Sequence, residues 1–141
     1  MARPSVPELM REIVQADADV ATSAPGGVFA GPAGFDAQEL GAVVLASNGL
    51  PKRELYAPLV RQSLFAVALA PTVEQAERIS GAVQTVLQRG GRRVVLQPSD
   101  GHEYLVHFTE ILGGPNAGKE SEEIHSNLLI VETMVGTEEV S

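Results

Sequence analysis

One thirty-residue block, Leu59 to Gln88, constrains the fold of this chain more than any other feature. Its first half alternates: Val60 and Leu64 fall on one face, Arg61 and Ser63 on the other. Phe65-Ala66-Val67-Ala68-Leu69 is then apolar on both faces, the pattern of a central strand covered on both sides. Pro71 stops that strand, Thr72 can cap a helix, and Gln75 completes a Thr-x-x-Gln capping box. Val73, Ala76, Ile79, Val83 and Val86/Leu87 recur at three- and four-residue steps, and Gly90-Gly91 closes the helix. A long strand that feeds directly into an amphipathic helix requires the two to share one core.

The rest of the chain arranges itself around that unit. Ser5, Pro7 and Glu8 open a first helix from about Val6 to Asp19, with Ser5 and Glu8 at capping-box spacing. Leu9, Ile13 and Ala16/Val20 form its apolar face, with Met10 and Val14 beside them. Thr22 to Gly34 is rich in Gly and Pro, hence turns, with Val28-Phe29-Ala30 a short edge strand inside it. Ala42 to Ala46 reads as a strand ended by Ser47-Asn48-Gly49, and Leu50 to Pro58 as an extended loop. After the second helix come a strand at Arg92–Gln97, a turn at Pro98–Gly101 and a strand at His102–Leu112. A polar loop is predicted at Gly113–Glu123, a final strand at Ile124–Val135 and a frayed acidic tail over 136–141. The order predicts one α+β domain over 1–141: a largely antiparallel sheet of about four to six strands with two main helices packed against it.

Charge and cysteine content narrow the function. At 141 residues the chain can bury a core without disulfides, and it has no cysteine, which removes thiolate metal sites and cysteine nucleophiles. Ala and Val number 17 each, so that core is built largely from small side chains. The net charge of −8 is concentrated: residues 1–93 carry nine basic and nine acidic groups, whereas 94–141 carry Lys119 against nine carboxylates. No polybasic stripe for nucleic acid or anionic membrane exists in such a chain. No apolar run approaches the ~18 residues of a membrane span, and Met1-Ala2-Arg3-Pro4 does not open a signal peptide. A soluble protein made in the cytoplasm is the expectation.

Several strings resemble chemistry. Gly113-Gly114-Pro115-Asn116-Ala117-Gly118-Lys119 fits the G-x-x-x-x-G-K part of a phosphate-binding loop. Glu120 stands where the hydroxyl for Mg²⁺ is needed, and Glu120–Asn127 is too short for the helix that would hold the phosphate. A hairpin loop is the better reading. Of His102, His107 and His125, the first sits in a turn. Pairing symmetrical about the loop would put His107 near Leu129 and His125 near Ile111, out of register with each other. No Ser-His-Asp arrangement is visible. Asp17 and Asp19 end the first helix; Glu120, Glu122 and Glu123 crowd the loop as a solvated face. Arg92 and Arg93, with Arg89 just before, form the only basic cluster; Arg89 can complement the second helix's C-terminus. The remaining role for Arg92-Arg93 is a patch for the acidic third of another copy, a head-to-tail contact.

The element order, centred on Leu59–Gln88, resembles the tail terminator (tail completion, minor capsid) proteins of long-tailed bacteriophages. The matching parts are the short acidic helix Leu9–Asp19, the Gly/Pro stretch and short strand within Gly26–Pro32, and the helix pattern Ala76, Ile79, Val83, Leu87. A final hairpin with a long loop at Gly113–Glu123 completes the likeness. The resemblance implies a structural virion protein, not an enzyme, with no catalytic, cofactor or metal residues. It would form a ring, typically a hexamer, that ends tail-tube polymerisation at the head–tail junction of the virion, after synthesis in the host cytoplasm. Its partners would be itself, the tail-tube protein and a head-side neck or connector protein. Genome DNA would pass the lumen without sequence-specific binding, and no membrane is involved. The alternatives are another neck protein (stopper or connector), a small nucleotide-binding enzyme using Gly113–Lys119, or a small-ligand or peptide-binding domain using a sheet edge. Candidate oligomer or partner contacts are Arg92, Arg93, Lys119, Glu120, Glu122, Glu123 and Phe29.

Overall fold

The computed structural model describes residues 3–31, 41–53, 57–89 and 92–138. The chain runs through α1 (Val6–Gln15), α2 (Ala18–Ser23), β1 (Val28–Ala30), β2 (Ala42–Ser47), β3 (Lys52–Arg53) and β4 (Leu59–Ala70). It continues through α3 (Val73–Gln88), β5 (Arg93–Gln97), β6 (His102–Ser121) and β7 (Ile124–Gly136). One sheet holds the seven strands in the order β1-β2-β4-β7-β6-β5, with the two-residue β3 beside β4. All pairings are antiparallel except β1 with β2. The α+β class and the antiparallel sheet are as the sequence predicts, with α2 added to the two main helices.

The core lies on one side of the sheet. Every second residue of β4 apart from the buried Gln62 (Val60, Leu64, Ala66, Ala68 and Ala70) joins Val43 and Leu45 of β2 and Leu129, Val131 and Val135 of β7. Leu9, Ile13 and Val14 of α1 and Ala76, Ile79, Val83, Val86 and Leu87 of α3 cover that row. Helix α3 lies over β4, β6 and β7, while α1 touches both β1 and β5, the two ends of the strand order. The sheet therefore curls around α1, helped by register shifts in β6, where bulges increase local twist. The expected cover on both faces of β4 is only partial on the second: among the described residues Phe65 and Val67 are half-buried there, while Leu69 and its partner Ala42 are buried.

Local capping explains where the first helix departs from expectation. The predicted single helix breaks after Gln15, and Asp17 starts α2 by accepting the Val20 N–H at 3.2 Å. Its other carboxylate oxygen takes Arg89 Nη1 at 3.1 Å, so Arg89 reaches across to α2 and does not serve its own helix end. That end is completed by Arg93 Nη2, which donates to the Arg89 carbonyl at 3.0 Å, and by Thr109 Oγ1, which donates to the Leu87 carbonyl at 2.6 Å. The Ser5–Glu8 capping box does not form. Ser5 has no side-chain cap, its N–H donates to Gln97 Oε1 at 2.5 Å, and Glu8 accepts the Ser99 N–H at 2.8 Å. The Thr72–Gln75 cap does form, with Thr72 Oγ1 accepting the Gln75 N–H at 3.2 Å. Asp17→Ala is expected to destabilise the fold by about 0.5–2 kcal/mol, the range for a lost N-cap. The exposed Arg89 ion pair adds little to that. A urea-unfolding midpoint unchanged within error would contradict the capping role.

The largest departure is at the end of the chain. Gly113–Glu123 is not a loop: β6 runs on to Ser121, and only Glu122-Glu123 turn before β7. The hairpin therefore closes later than symmetry about the predicted loop requires. Ile111 pairs with Val131 and Lys119 with His125, not Ile111 with His125. His107 falls in a register shift between Val106 and Phe108, so it does not meet Leu129.

Candidate functional site

Backbone pairing makes the β6–β7 hairpin an arm held along one side. Strand β7 pairs with β4 from His125 to Gly136, so the arm is anchored over its whole length. On the outer side, β5 pairs only with His102 to Val106 of β6. Beyond Val106 the outer edge of β6 has no strand partner among the described residues. An unpaired edge offers a row of N–H and C=O groups to another chain, and bulges blunt it. Strand β6 carries such irregularities at Val106/Phe108, Ile111/Gly113, Gly113/Asn116 and Lys119/Ser121.

The arm brings Lys119, Glu120, Glu122 and Glu123 together at its tip, all exposed. Lys119 Nζ lies 3.8 Å from Glu122 Oε2, a weak pair because the Glu122 side chain is 99% exposed. The tip therefore keeps a net negative charge. Gly113–Lys119 is extended strand followed by β7, so the phosphate-loop string lacks the helix N-terminus that would bind phosphate. Among the described residues no group of three or more His, Asp or Glu is placed to hold a metal ion.

Phe29, the other predicted contact, sits on the opposite edge strand β1, in register with Val44 of β2. It belongs to the sheet face turned away from the helices. Val44 pairs with Val67, Val67 with Leu128, and Phe65 with Ile130, all half-buried. Strand β5 extends the apolar character with Val94 and Leu96, about half exposed. Charge enters this face through Arg61, whose guanidinium lies 6.0 Å from the Phe108 ring centroid and 3.8 Å (Nε) from Glu132 Oε1. Arg92 is exposed just before β5, whereas the Arg93 guanidinium is engaged with the α3 C-terminus.

Sequence reading missed a second charged surface, at the far end of β7 from the acidic tip. Arg3, Pro4, Val6, Pro51, Arg53, Val60 and Thr137 line a cavity of about 210 Å³. Its residues come from four separate stretches of chain, three of which read as loop or terminus, so no spacing could have revealed it. Gln97 fixes one wall: its Nε2 donates to the Arg3 carbonyl at 2.9 Å and to Asp100 Oδ2 at 3.1 Å. Asp100 Oδ2 also accepts the Tyr104 hydroxyl at 2.7 Å, and Oδ1 accepts the His102 N–H at 2.9 Å.

Partial desolvation pulls the Asp100 carboxyl up, but the His102 N–H, the Tyr104 hydroxyl and the charge of His102 hold it below its ordinary value. A carboxyl whose pKa is depressed by folding stabilises the fold above its unfolded pKa, and that stability is lost as pH falls through the folded value. The stability difference between the wild type and Asp100→Asn is therefore expected to be present at about pH 5 and to shrink in more acid solution. Urea midpoints measured from about pH 5 downward check it; a difference that grows on acidification over that range would contradict the sign.

No family model and no curated protein matches this chain. Among solved structures, a chain from the virion of a native gene transfer agent (GTA) particle matches it with a TM-score of 0.58 at 15% sequence identity. The match covers 94% of this chain and 95% of that one. The two share a fold over essentially their whole lengths.

Proposed function

We propose that this chain is a structural, non-enzymatic subunit of a phage-like particle, and within it the tail terminator. It assembles with copies of itself into a ring, a hexamer in the form this family takes, at the head-proximal end of the tail. There it ends tail-tube polymerisation and meets a head-side connector protein, at the head–tail junction of the virion. The carrying observation is the full-length likeness in fold to a chain of a virion particle. Two features support assembly with copies of itself. The sheet has unlike edges, a three-residue parallel strand at one side and the long arm at the other, which suits heterologous, ring-closing contacts. The face carrying Phe65, Val67, Leu128 and Ile130 is apolar enough for burial between subunits. The acidic arm also fits a lumen through which DNA must slide, since phosphates are not held by carboxylates.

The test is assembly. Native mass spectrometry and electron microscopy of the purified chain, alone and with tail-tube protein, are expected to reveal closed rings that cap tubes. A chain that stays monomeric under both conditions would refute the reading.

A further inference from the structure

We infer that the arginine-lined cavity at one end of the sheet receives the acidic hairpin tip of a second copy of this chain. This rests on the ring-subunit reading and names the contact that would build the ring. Arg3 and Arg53 are exposed at the mouth, and Pro4, Val6, Pro51 and Val60 supply apolar lining. Among the described residues neither guanidinium has an ion-pair partner. At about 210 Å³ the cavity is smaller than the ~300 Å³ lower bound of small-molecule pockets, and it fits one or two side chains. Guanidinium groups engage carboxylates through paired N–H donors, so the chemistry selects an acidic segment.

The charge-complementary segment on this molecule is the turn Glu122-Glu123 with Glu120 beside it. A chain cannot seat its own tip. The tip precedes Ile124 and the cavity is lined by Thr137, so the two lie at opposite ends of β7, roughly 40 Å apart at ~3.3 Å per residue. That distance is several Debye lengths at physiological salt, so no attraction acts within one copy. Placing donor and acceptor at opposite ends makes the contact head-to-tail, the type that closes into rings or runs on into filaments.

Charge reversal tests the contact. Sedimentation velocity over a concentration series gives the assembly midpoint of wild type, R3E/R53E, E122K/E123K and the variant carrying all four changes. Each double variant is expected to raise the midpoint at least tenfold, and the fourfold variant to restore it to within about threefold of wild type. Circular dichroism with urea unfolding checks that all four fold alike; these side chains are on the surface. Loss in either double variant without recovery in the combined one overturns the contact, as does a midpoint that moves less than twofold. Loss in R3E/R53E alone overturns it too, since another carboxylate such as Glu138 would then fill the cavity. In those three cases wild type still assembles and the subunit reading stands. A wild type that never assembles removes both.

Discussion

Replacing Gly114 by alanine is expected to pry the acidic arm apart while leaving the core folded. Gly114 has φ +90°, a region that a Cβ disfavours. A Cβ there would run into the Leu128 carbonyl oxygen, and would lie 3.2 Å from Leu129 Cα and 3.3 Å from the Leu128 carbonyl carbon. All three are backbone atoms of β7, which β4 holds on its other side, so they cannot yield cheaply. Backbone strain of about 1–3 kcal/mol adds to overpacking of about 1–3 kcal/mol, for a total of about 2–6 kcal/mol. Gly118→Ala is the control: its Cβ meets only the Ser126 hydroxyl at 3.1 Å, a side chain that can rotate. Hydrogen exchange should report Gly114→Ala as lost protection at Ala117 to Ile124, with protection in β4 retained. Equal effects from the two glycines would mean that the β6–β7 pairing is not as described.

The second large effect is expected in the helix-covered row. Leu64 is fully buried in the middle of β4, between Ser47 of β2 and Val131 of β7. Leu64→Ala removes its transfer energy and leaves a void, which together cost about 2–5 kcal/mol. Alanines at positions 66, 68 and 70 occupy the row on one side of it, so few large neighbours on β4 can move in to fill the gap. Val94→Ala, about half exposed on β5, is expected to change stability by less than about 0.5 kcal/mol. Urea midpoints of the two variants settle the assignment. A Leu64→Ala loss no larger than that of Val94→Ala would place the core elsewhere.

These contrasts also mark how far the sequence was legible. The block from Leu59 to Gln88 was readable almost to the residue, because its strand pattern, its stop at Pro71 and its Thr72 cap agree with one another and with the tertiary core. The first helix misled because Ala16 and Val20 continue its apolar periodicity across the break. The Asp17 cap of α2 is a signal present in the sequence but weaker than that periodicity. The arm was illegible for a different reason. From Gly114 to Ser121 it is solvated on both faces and along one edge, so nothing selects alternating side chains, and Gly, Pro and Asn there mimic a loop. Only its partner β7, buried at every second residue from Asn127 to Val135, carries the strand pattern. The register error followed, since the turn was placed in the middle of a loop that does not exist. The Arg3–Arg53 cavity is assembled from residues fifty apart, a juxtaposition that only the curled sheet creates. The proposed contact uses the same acidic cluster that the sequence offers as a candidate contact, but pairs it with Arg3 and Arg53 where the sequence offered Arg92 and Arg93.

The twelve-residue pairing of β4 with β7 has a mechanical consequence. The acidic tip and the arginine cavity lie at opposite ends of that ladder, so tension passed through the proposed contact would run parallel to the strands. Loaded in this direction, the hydrogen bonds resist together in shear, whereas a pull across the sheet would open them one at a time. Resistance to forced rupture is set by the rate of unfolding, not by the equilibrium stability. A ring strung through such ladders would behave as a tensile hoop, stiff around its circumference even if each subunit, taken alone, were only marginally stable.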